Sequence, residues 1–536
     1  MTGAYAAGGS AGTGTITLTG SAMAAAGSYT ATVSVTSGGS TAAQNLTVVS
    51  APVSAVTVPA GSGTILSQFM ATSFQIAQWT GDIFGSGATA TARETELTNI
   101  GAQHLRMQVV AGGMPMVSNT GTAADWDFST ADTTVQPVLA SADHSPEFQI
   151  ATAPTWMCNA NGQLDVANHA HDFAQYAANL VRYYNKGGFD YGGQHFQSPS
   201  STPITWWGIF NEYSINGLSA TDYVTLYNAT VPVMLAVDPT IKLSALEFSD
   251  FGLGSGDEGD PMQYLPTFFG TNGTPGVTAE VDIVSTHFYS TCNQTDTDAT
   301  LFSTIPQFVQ NVQYFYQVMG QAGAKYANTP VWVTENNVNA DYEGANGMST
   351  CNPGQVFVDD HRGTSAFFAA WRPYVFSQLG KAGNHALYQW DYSADQQYGE
   401  VDSNSNYFLS YWVDQALATY FPSTPTSPGP ELLDINATDT STIETLATKN
   451  KDSSVVVMVV DRAVQSPSDN NGTGVPRTVI VDVSALGTFS KVSQETLDAT
   501  TAITTAPTAT TVTAAQNGRY TVQLNGYGVT FLKLTP

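Results

Sequence analysis

The sequence predicts an α/β chain built on a (β/α)8 TIM barrel, with a C-terminal β-sandwich and a short β module ahead of the barrel. Three observations predict it. Between residues 66 and 422, eight short apolar runs alternate with segments of helical periodicity, the rhythm of βα units around parallel strands. A Pro-rich stretch from Pro422 to Pro430 closes that region, and strand patterns with turns fill 431–536. Two of the eight runs end in a glutamate, Glu212 and Glu335, and the C-terminal end of a barrel strand is where such folds carry chemistry.

Residues 1–50 alternate small, β-branched and polar side chains, as in Ser28-Tyr-Thr-Ala-Thr-Val-Ser-Val-Thr36, with Gly and Ser turns between them. Three or four strands fit. The pattern resembles part of a bacterial immunoglobulin-like module. Residues 51–65 read as a linker with room for one strand. The barrel strands are expected at 74–79, 104–110, 148–153, 204–210, 242–248, 283–288, 331–334 and 386–390. Among the helices, 172–185 carries apolar residues at 173, 176, 177, 180 and 181, one face of a 3.6-residue repeat, and 226–237 is a second clear case. Past the Pro-rich boundary, strands are expected at 454–460, 478–483, 520–524 and 529–534, with Asn525-Gly526 joining the last two. The Thr- and Ala-rich stretch 504–515 reads as surface strand or loop.

Charge excludes several partners. Lys and Arg number 16 against 43 Asp and Glu, giving a formal charge of −27 and an isoelectric point near 4.3. Phosphate backbones and anionic lipid surfaces repel such a chain, so no nucleic-acid partner is expected. No apolar run of about 18 residues occurs, so no membrane insertion is expected either. The acidic excess suits a secreted, extracellular protein working at low pH, although Met1-Thr-Gly-Ala-Tyr5 lacks the basic start and apolar core of a signal peptide. Three cysteines are present, without metal-type spacing. Cys292 and Cys351 each follow a strand-like run by a short loop, and a disulfide between them is the expectation, with free thiols as the alternative.

The chemistry rests on the glutamates. Glu212 ends Ile-Thr-Trp-Trp-Gly-Ile-Phe-Asn-Glu, and Glu335 ends Pro-Val-Trp-Val-Thr-Glu. Glycosidic bond cleavage needs one carboxylic acid to protonate the leaving oxygen and one carboxylate to attack or to activate water. A single strand-end Glu marks only where a strand meets solvent; the pair suggests catalysis. Arg106, inside Leu-Arg-Met, is an arginine in an apolar run and calls for a buried anionic partner, with a surface ion pair as the alternative. His287 and Tyr289 alternate with Phe288 and share one face of their strand, as site residues or as satisfied core residues. Trp390 ends the eighth strand, either as a rim residue or as a sugar platform. Trp156, Trp206 and Trp207 read as core. His169 and His171 have the spacing of two metal ligands, but no third ligand is evident, so neither metal nor cofactor is expected. No phosphate-binding loop, dinucleotide fingerprint or nucleophile elbow occurs.

With Asn211-Glu212 on the fourth strand and Glu335 on the seventh, the chain resembles the retaining glycoside hydrolases of clan A. It looks most like family 39, the β-xylosidase family, with families 30, 51 and 79 as close competitors. The resemblance implies that Glu212 is acid/base and Glu335 nucleophile. It also implies a substrate-binding set of Asn211, Arg106, His287, Tyr289 and Trp390. Asn211 would bind the sugar 2-hydroxyl, Arg106 would keep Glu335 charged, Tyr289 would hold the nucleophile and Trp390 would floor the sugar. Tyr213-Ser214 departs from the Pro that many relatives have after Asn-Glu. Two alternatives stay open: a non-catalytic carbohydrate-binding or adhesion protein on a decayed barrel, and a transglycosylase that uses the same pair but excludes water.

Overall fold

The computed structural model describes residues 27–536 apart from 38–39, 51–52, 62, 77–87, 101–103, 111–112, 142–144, 214, 250–260, 393–396 and 515–517. Eight parallel strands close a barrel: β1 Phe69–Ile76, β2 Leu105–Val109, β3 Glu147–Ile150, β4 Trp206–Ile209, β5 Lys242–Phe248, β6 Ile283–Thr291, β7 Val331–Asn339 and β8 Ala386–Trp390. Each pairs with its neighbours in sequence, and β8 closes on β1 through Ala386 to Phe69 and Trp390 to Ser73. A helix follows every strand: α1 Ala88–Asn99, α2 Ser129–Ala140, α3 Val166–Asn185, α4 Ala220–Val237, α5 Pro261–Phe268, α6 Asp298–Ala322, α7 Ala366–Lys381 and α8 Leu409–Tyr420.

The first strand begins earlier than its sequence pattern suggests, and 77–79 of the expected run lie outside the described residues. Helix α3 also begins earlier, because Asp165 caps it by accepting from the Asn168 backbone N–H. Its first turn, Val-Ala-Asn-His, lacks the apolar stripe that marks the rest. Strand β7 runs well past the expected Thr334. Asn is a poor strand former, yet these asparagines are held by their amides. Asn336 Nδ2 donates to the Phe288 carbonyl at 2.6 Å and Asn337 Nδ2 to the Trp390 carbonyl at 2.5 Å. The extension carries β6 and β7 side by side as far as Thr291 and Asn339.

The barrel interior is layered. At the N-terminal end Phe69, Trp206, Trp332 and Tyr388 form an apolar floor. Outward-facing strand residues such as Trp207, Phe148 and Val333 pack under the helices instead. Above the floor the interior turns polar, with Arg106, Gln108, Glu147, Gln149, Glu247 and His287 all buried.

Beyond the barrel, two further sheets face each other. One has six strands in the order 431–433, 443–449, 455–461, 528–535, 491–498 and 510–511, and the other has four, in the order 436–437, 53–57, 477–482 and 519–524. Between them lie Val457, Val459, Val479, Val481, Val522, Leu524, Leu532 and Leu534. The central strand Val455–Asp461 is apolar on both faces for a reason: Val456, Met458 and Val460 point the other way and join the barrel core. That is why the run does not alternate.

The segment 51–65, read as a linker with room for one strand, holds that strand: Val53–Thr57 is an inner strand of the four-stranded sheet, parallel to Arg477–Asp482 and antiparallel to Asn436–Ala437. Val56 is fully buried there, as is Val58. The last two strands, joined through Asn525-Gly526 as expected, do not pair with each other. Arg519–Leu524 pairs with Arg477–Asp482, whereas Gly528–Thr535 pairs with Val455–Asp461 and Lys491–Asp498, so the chain crosses from one sheet to the other. Each strand buries its own apolar face against the opposite sheet, Val522 and Leu524 from one side and Leu532 and Leu534 from the other. Of the N-terminal module, the described part is an antiparallel pair, Gly27–Ser37 with Ser40–Ser50. The rest of the expected module, residues 1–26, lies outside the described residues. The low-complexity stretch contributes only the short exposed strand Thr510–Thr511.

The inner position of Val56 gives a direct test. Val56→Asp should destabilise the protein by at least about 3 kcal/mol in a denaturant titration, since it buries an unpaired charge between the sheets. An unchanged midpoint would return 51–65 to the status of a tether.

Candidate active site

Parallel register assembles the site. Arg106 and Gln108 sit two apart on β2 and both point inward. On β6 and β7 the register slips by one residue: Thr286 pairs with Val333, but His287 pairs with Glu335. The slip lets the consecutive Thr334 and Glu335 both reach interior partners, which regular alternation forbids. Thr334 Oγ1 donates to Glu247 Oε2 at 2.6 Å, and Glu335 meets Arg106. A second slip on β5, between Ala245 and Phe248, turns Glu247 inward beside Ser244, whose hydroxyl donates to Glu247 Oε1 at 2.7 Å.

Backbone strain collects at the same strand ends. Phe210, Glu212, Leu246 and Glu247 all have positive φ, at 64°, 43°, 87° and 49°. Non-glycine residues hold such angles only where surrounding contacts over-determine them. Here the Glu212 N–H donates to the Glu247 carbonyl at 2.9 Å, the Phe210 N–H to the Ile150 carbonyl at 3.0 Å, and Gln149 Nε2 to the Phe210 carbonyl at 2.5 Å. Gly208 leaves the space that the Gln149 side chain occupies; a Cβ there would lie 1.3 Å from Gln149 Oε1.

Glu335 receives donors on both oxygens. Arg106 Nη1 at 3.1 Å and Gln108 Nε2 at 2.9 Å bind Oε1, and the Tyr289 hydroxyl donates to Oε2 at 3.0 Å. His287 bridges the two glutamates. Its Nδ1 lies 2.8 Å from Glu212 Oε1 and 3.4 Å from Glu335 Oε2, and its Nε2 lies 3.4 Å from Glu247 Oε2. One carboxylate oxygen from Glu212, one from Glu335 and a ring nitrogen of His287 all lie within 4.8 Å of one another. Arg106 Nη2 donates to Asn211 Oδ1 at 3.0 Å and to Glu247 Oε2 at 3.3 Å.

Glu212, Glu335, Asn211, Tyr289 and Trp390 line a cavity of about 800 Å³. Arg106 and His287 do not line it; both are fully buried behind the carboxylates. Coulomb attraction holds each inside the carboxylate ring: Arg106 meets Glu335 and Glu247 as a buried pair, and His287 faces Glu212, Glu247 and Glu335. Trp390 packs with Tyr289 and Tyr398 at the rim. His169 binds Asp172 at 2.8 Å on α3, and no further ligand joins that pair among the described residues.

Glu212, His287 and Glu335 have the donor types of a cation site. Their surroundings do not fit one. Three donors already occupy Glu335, and both nitrogens of His287 face carboxylates, which holds protons there instead.

Cys292 and Cys351 are joined, with Cα atoms 5.6 Å apart, and both line the same cavity. Tyr213, standing where Pro was expected by resemblance, is fully buried and stacks on Tyr223 at 4.1 Å between centroids. A large ring fills the space under the β4 end here, and its partner Ser214 lies outside the described residues. Sequence reasoning missed Gln108, Glu247 and Thr334. Gln108 shares the Arg106 face two residues on, and Glu247 is a third Glu near the end of an apolar run, so both carried a legible signal. Thr334 carried none, since only the register slip turns it inward.

Protonation follows from this packing. Burial opposes charge on His287, but the Glu335, Glu212 and Glu247 carboxylates overcome it and raise the imidazole to about 10. Burial works against the Glu247 carboxylate as well, yet Arg106 and His287 bring it down to about 2. Burial pushes Glu335 up, against the pull of His287 and Arg106.

No protein-family model matches the chain, and no curated protein matches it by sequence. Solved structures match its fold. A GH30 endoxylanase from Clostridium papyrosolvens C71 is 16% identical, with 90% of this chain and 100% of that chain covered at a TM-score of 0.55. A GH51 α-L-arabinofuranosidase from Thermotoga petrophila RKU-1 is 13% identical, covering 90% and 100% at 0.59, and a GH39 β-xylosidase from Caulobacter crescentus is 13% identical, covering 91% and 100% at 0.53. The fold is shared with glycosidases of three of the families that the sequence resembles.

The cluster sets a pH window for stability. A His287 value of about 10 lies above its ordinary 6.5, so its contribution is complete below about 6.5 and is lost as pH rises toward 10. A Glu247 value of about 2 lies below 4.5, so its contribution is present above about 4.5 and is lost as pH falls toward 2. Glu335, raised above its ordinary 4.5, contributes in full below 4.5 and loses that contribution as pH rises through its folded value. Denaturant midpoints should therefore fall between pH 6 and pH 9, and His287→Gln should flatten that slope. Glu247→Gln, which keeps the shape and removes the charge, should move the His287 imidazole titration, followed by NMR, clearly below 10. An unmoved titration would show that Glu247 does not charge the histidine.

Proposed function

We propose that the chain is a retaining glycosidase that cleaves β-glycosidic bonds of oligosaccharides or polysaccharides by double displacement. One observation carries the reading. A Glu212 oxygen and a Glu335 oxygen stand within 4.8 Å of each other on the wall of one cavity, close to the separation of about 5–5.5 Å that retention needs and short of the 6.5–9.5 Å, roughly, that leaves room for an inverting water.

Glu335 is the nucleophile. Three donors prefer its ionised form, and Tyr289 fixes the oxygen that also faces His287. Glu212, the more exposed of the two, delivers the proton to the departing oxygen and then takes one from the incoming water. Asn211, whose Oδ1 is held by Arg106, has its amide nitrogen left to meet a sugar hydroxyl. Trp390 offers the apolar face on which a sugar ring stacks. The shared fold of xylanases, xylosidases and arabinofuranosidases supports the same class. We place the protein outside the cell, a location that the Cys292–Cys351 disulfide supports.

Substitution separates the two roles. Glu335→Ala should abolish turnover of every aryl glycoside, since no other group can form the covalent intermediate. Glu212→Ala should still react with an aryl leaving group that departs unprotonated, accumulate the glycosyl-enzyme, and regain turnover with azide as a β-glycosyl azide. Rescue of neither variant, with equal losses in both, would sink this assignment.

A further inference from the structure

The wall of the catalytic cavity carries charge of one sign. Glu212, Glu335 and Asp296 line it, and no Lys, Arg or His is among its described lining residues. The remaining polar wall is amide and hydroxyl, from side chains such as Gln75, Asn216 and Tyr342. No Lys or Arg lies in the segments outside the described residues, so all 16 fall within them.

The cations nearest the cavity are already committed. Both terminal nitrogens of Arg106 bind Glu335, Asn211 and Glu247, and the side chain is fully buried. His287 is enclosed by Glu212, Glu247 and Glu335. Arg362 is also fully buried, its Nη2 on Asp360 at 2.6 Å and its Nη1 on the Asp296 carbonyl at 2.6 Å. Lys242 opens β5, at the opposite end of the barrel, where it binds Asp282 at 2.7 Å.

A sugar acid entering this cavity would lose water from its carboxylate and meet no counter-charge, while facing the ionised nucleophile. A neutral sugar of the same size meets hydrogen-bonding groups, the Trp390 ring and apolar side chains such as Val110 and Ile215, none of which penalises it. We propose that the cavity selects uncharged glycosyl units and excludes uronic acids by charge rather than by size. The proposal rests on the glycosidase reading above and names its substrate class.

The test compares matched neutral and acidic sugars on the full chain at pH 6 and low salt. Aryl β-glucuronide should be turned over about 100-fold more slowly than the best of aryl β-xyloside, β-glucoside and β-galactoside, the effect of one like charge at about 6 Å and an effective dielectric near 20. Glucuronamide, neutral and nearly the size of glucuronate, should inhibit the best substrate at least about tenfold more tightly than glucuronate, with the gap narrowing in 1 M salt. Glucuronide turnover close to that of the best neutral substrate would overturn the proposal. So would inhibition that shows no preference for the amide over the acid. If no glycoside is turned over, the glycosidase reading fails instead, and calorimetric binding of glucuronate against glucuronamide still decides the charge rule.

Discussion

Everything at the centre of this molecule depends on one buried guanidinium. Arg106 stands fully enclosed within the barrel, in contact with Glu335, Glu247 and Asn211 and 4.0 Å from Glu147. Those partners arrive from β7, β5, β3 and the end of β4, so only a closed barrel in correct register brings them together. Removing one member of such a cluster leaves a buried charge unpaired, which costs about 3–5 kcal/mol. The apolar floor below it and the cavity above fix where the cluster can lie. Glu147 completes the lower edge, taking the Tyr388 hydroxyl at 2.8 Å and lying 3.0 Å from His104 Nε2.

Regular strands could not make this cluster. Alternation puts successive side chains on opposite faces, yet Thr334 and Glu335 are both needed inside, and Ser244 must meet Glu247 three residues on. The register slips on β5 and β7 solve both, and the β5 slip falls at Leu246 and Glu247, which hold positive φ, as do Phe210 and Glu212 at the end of the neighbouring β4. Strain and function coincide at the C-terminal rim. The floor, where no chemistry is proposed, keeps regular pairing and apolar packing.

Much of this was legible in the chain. The eight barrel strands follow from apolar runs because both faces of a barrel strand are buried, against helices outside and packed side chains within. Glu212 and Glu335 stand out because a carboxylate at the end of such a run has no packing reason to be there. What could not be read depends on register and long-range pairing. The place of Val53–Thr57 inside a sheet is not visible locally, because its partners are Asn436–Ala437 and Arg477–Asp482, hundreds of residues away. The crossing at Asn525-Gly526 looks like a hairpin because local turn chemistry does not say which sheet each strand joins. The buried partner of Arg106 follows from an arginine in an apolar run, but the stacking of Arg106 and His287 behind the carboxylates is a property of the assembled barrel.

The proposed division of roles between the two glutamates follows from the same depth. Four carboxylates, Glu147, Glu212, Glu247 and Glu335, meet two cations, Arg106 and the protonated His287. The carboxylates outnumber the cations, so the donors around each one decide which keeps its charge. Glu247 takes two hydroxyls as well as both cations, and Glu335 takes an amide, a phenol and a guanidinium. Glu212 faces the open cavity, and its carboxylate bonds only to His287 among the described residues. A carboxyl with one fixed partner and one free oxygen at the cavity wall is the one able to exchange a proton with a departing sugar oxygen. The carboxylate held by three donors is the one whose attack geometry is fixed. On the proposed reading, the donors that the surrounding strands supply to each glutamate are what separate acid from nucleophile.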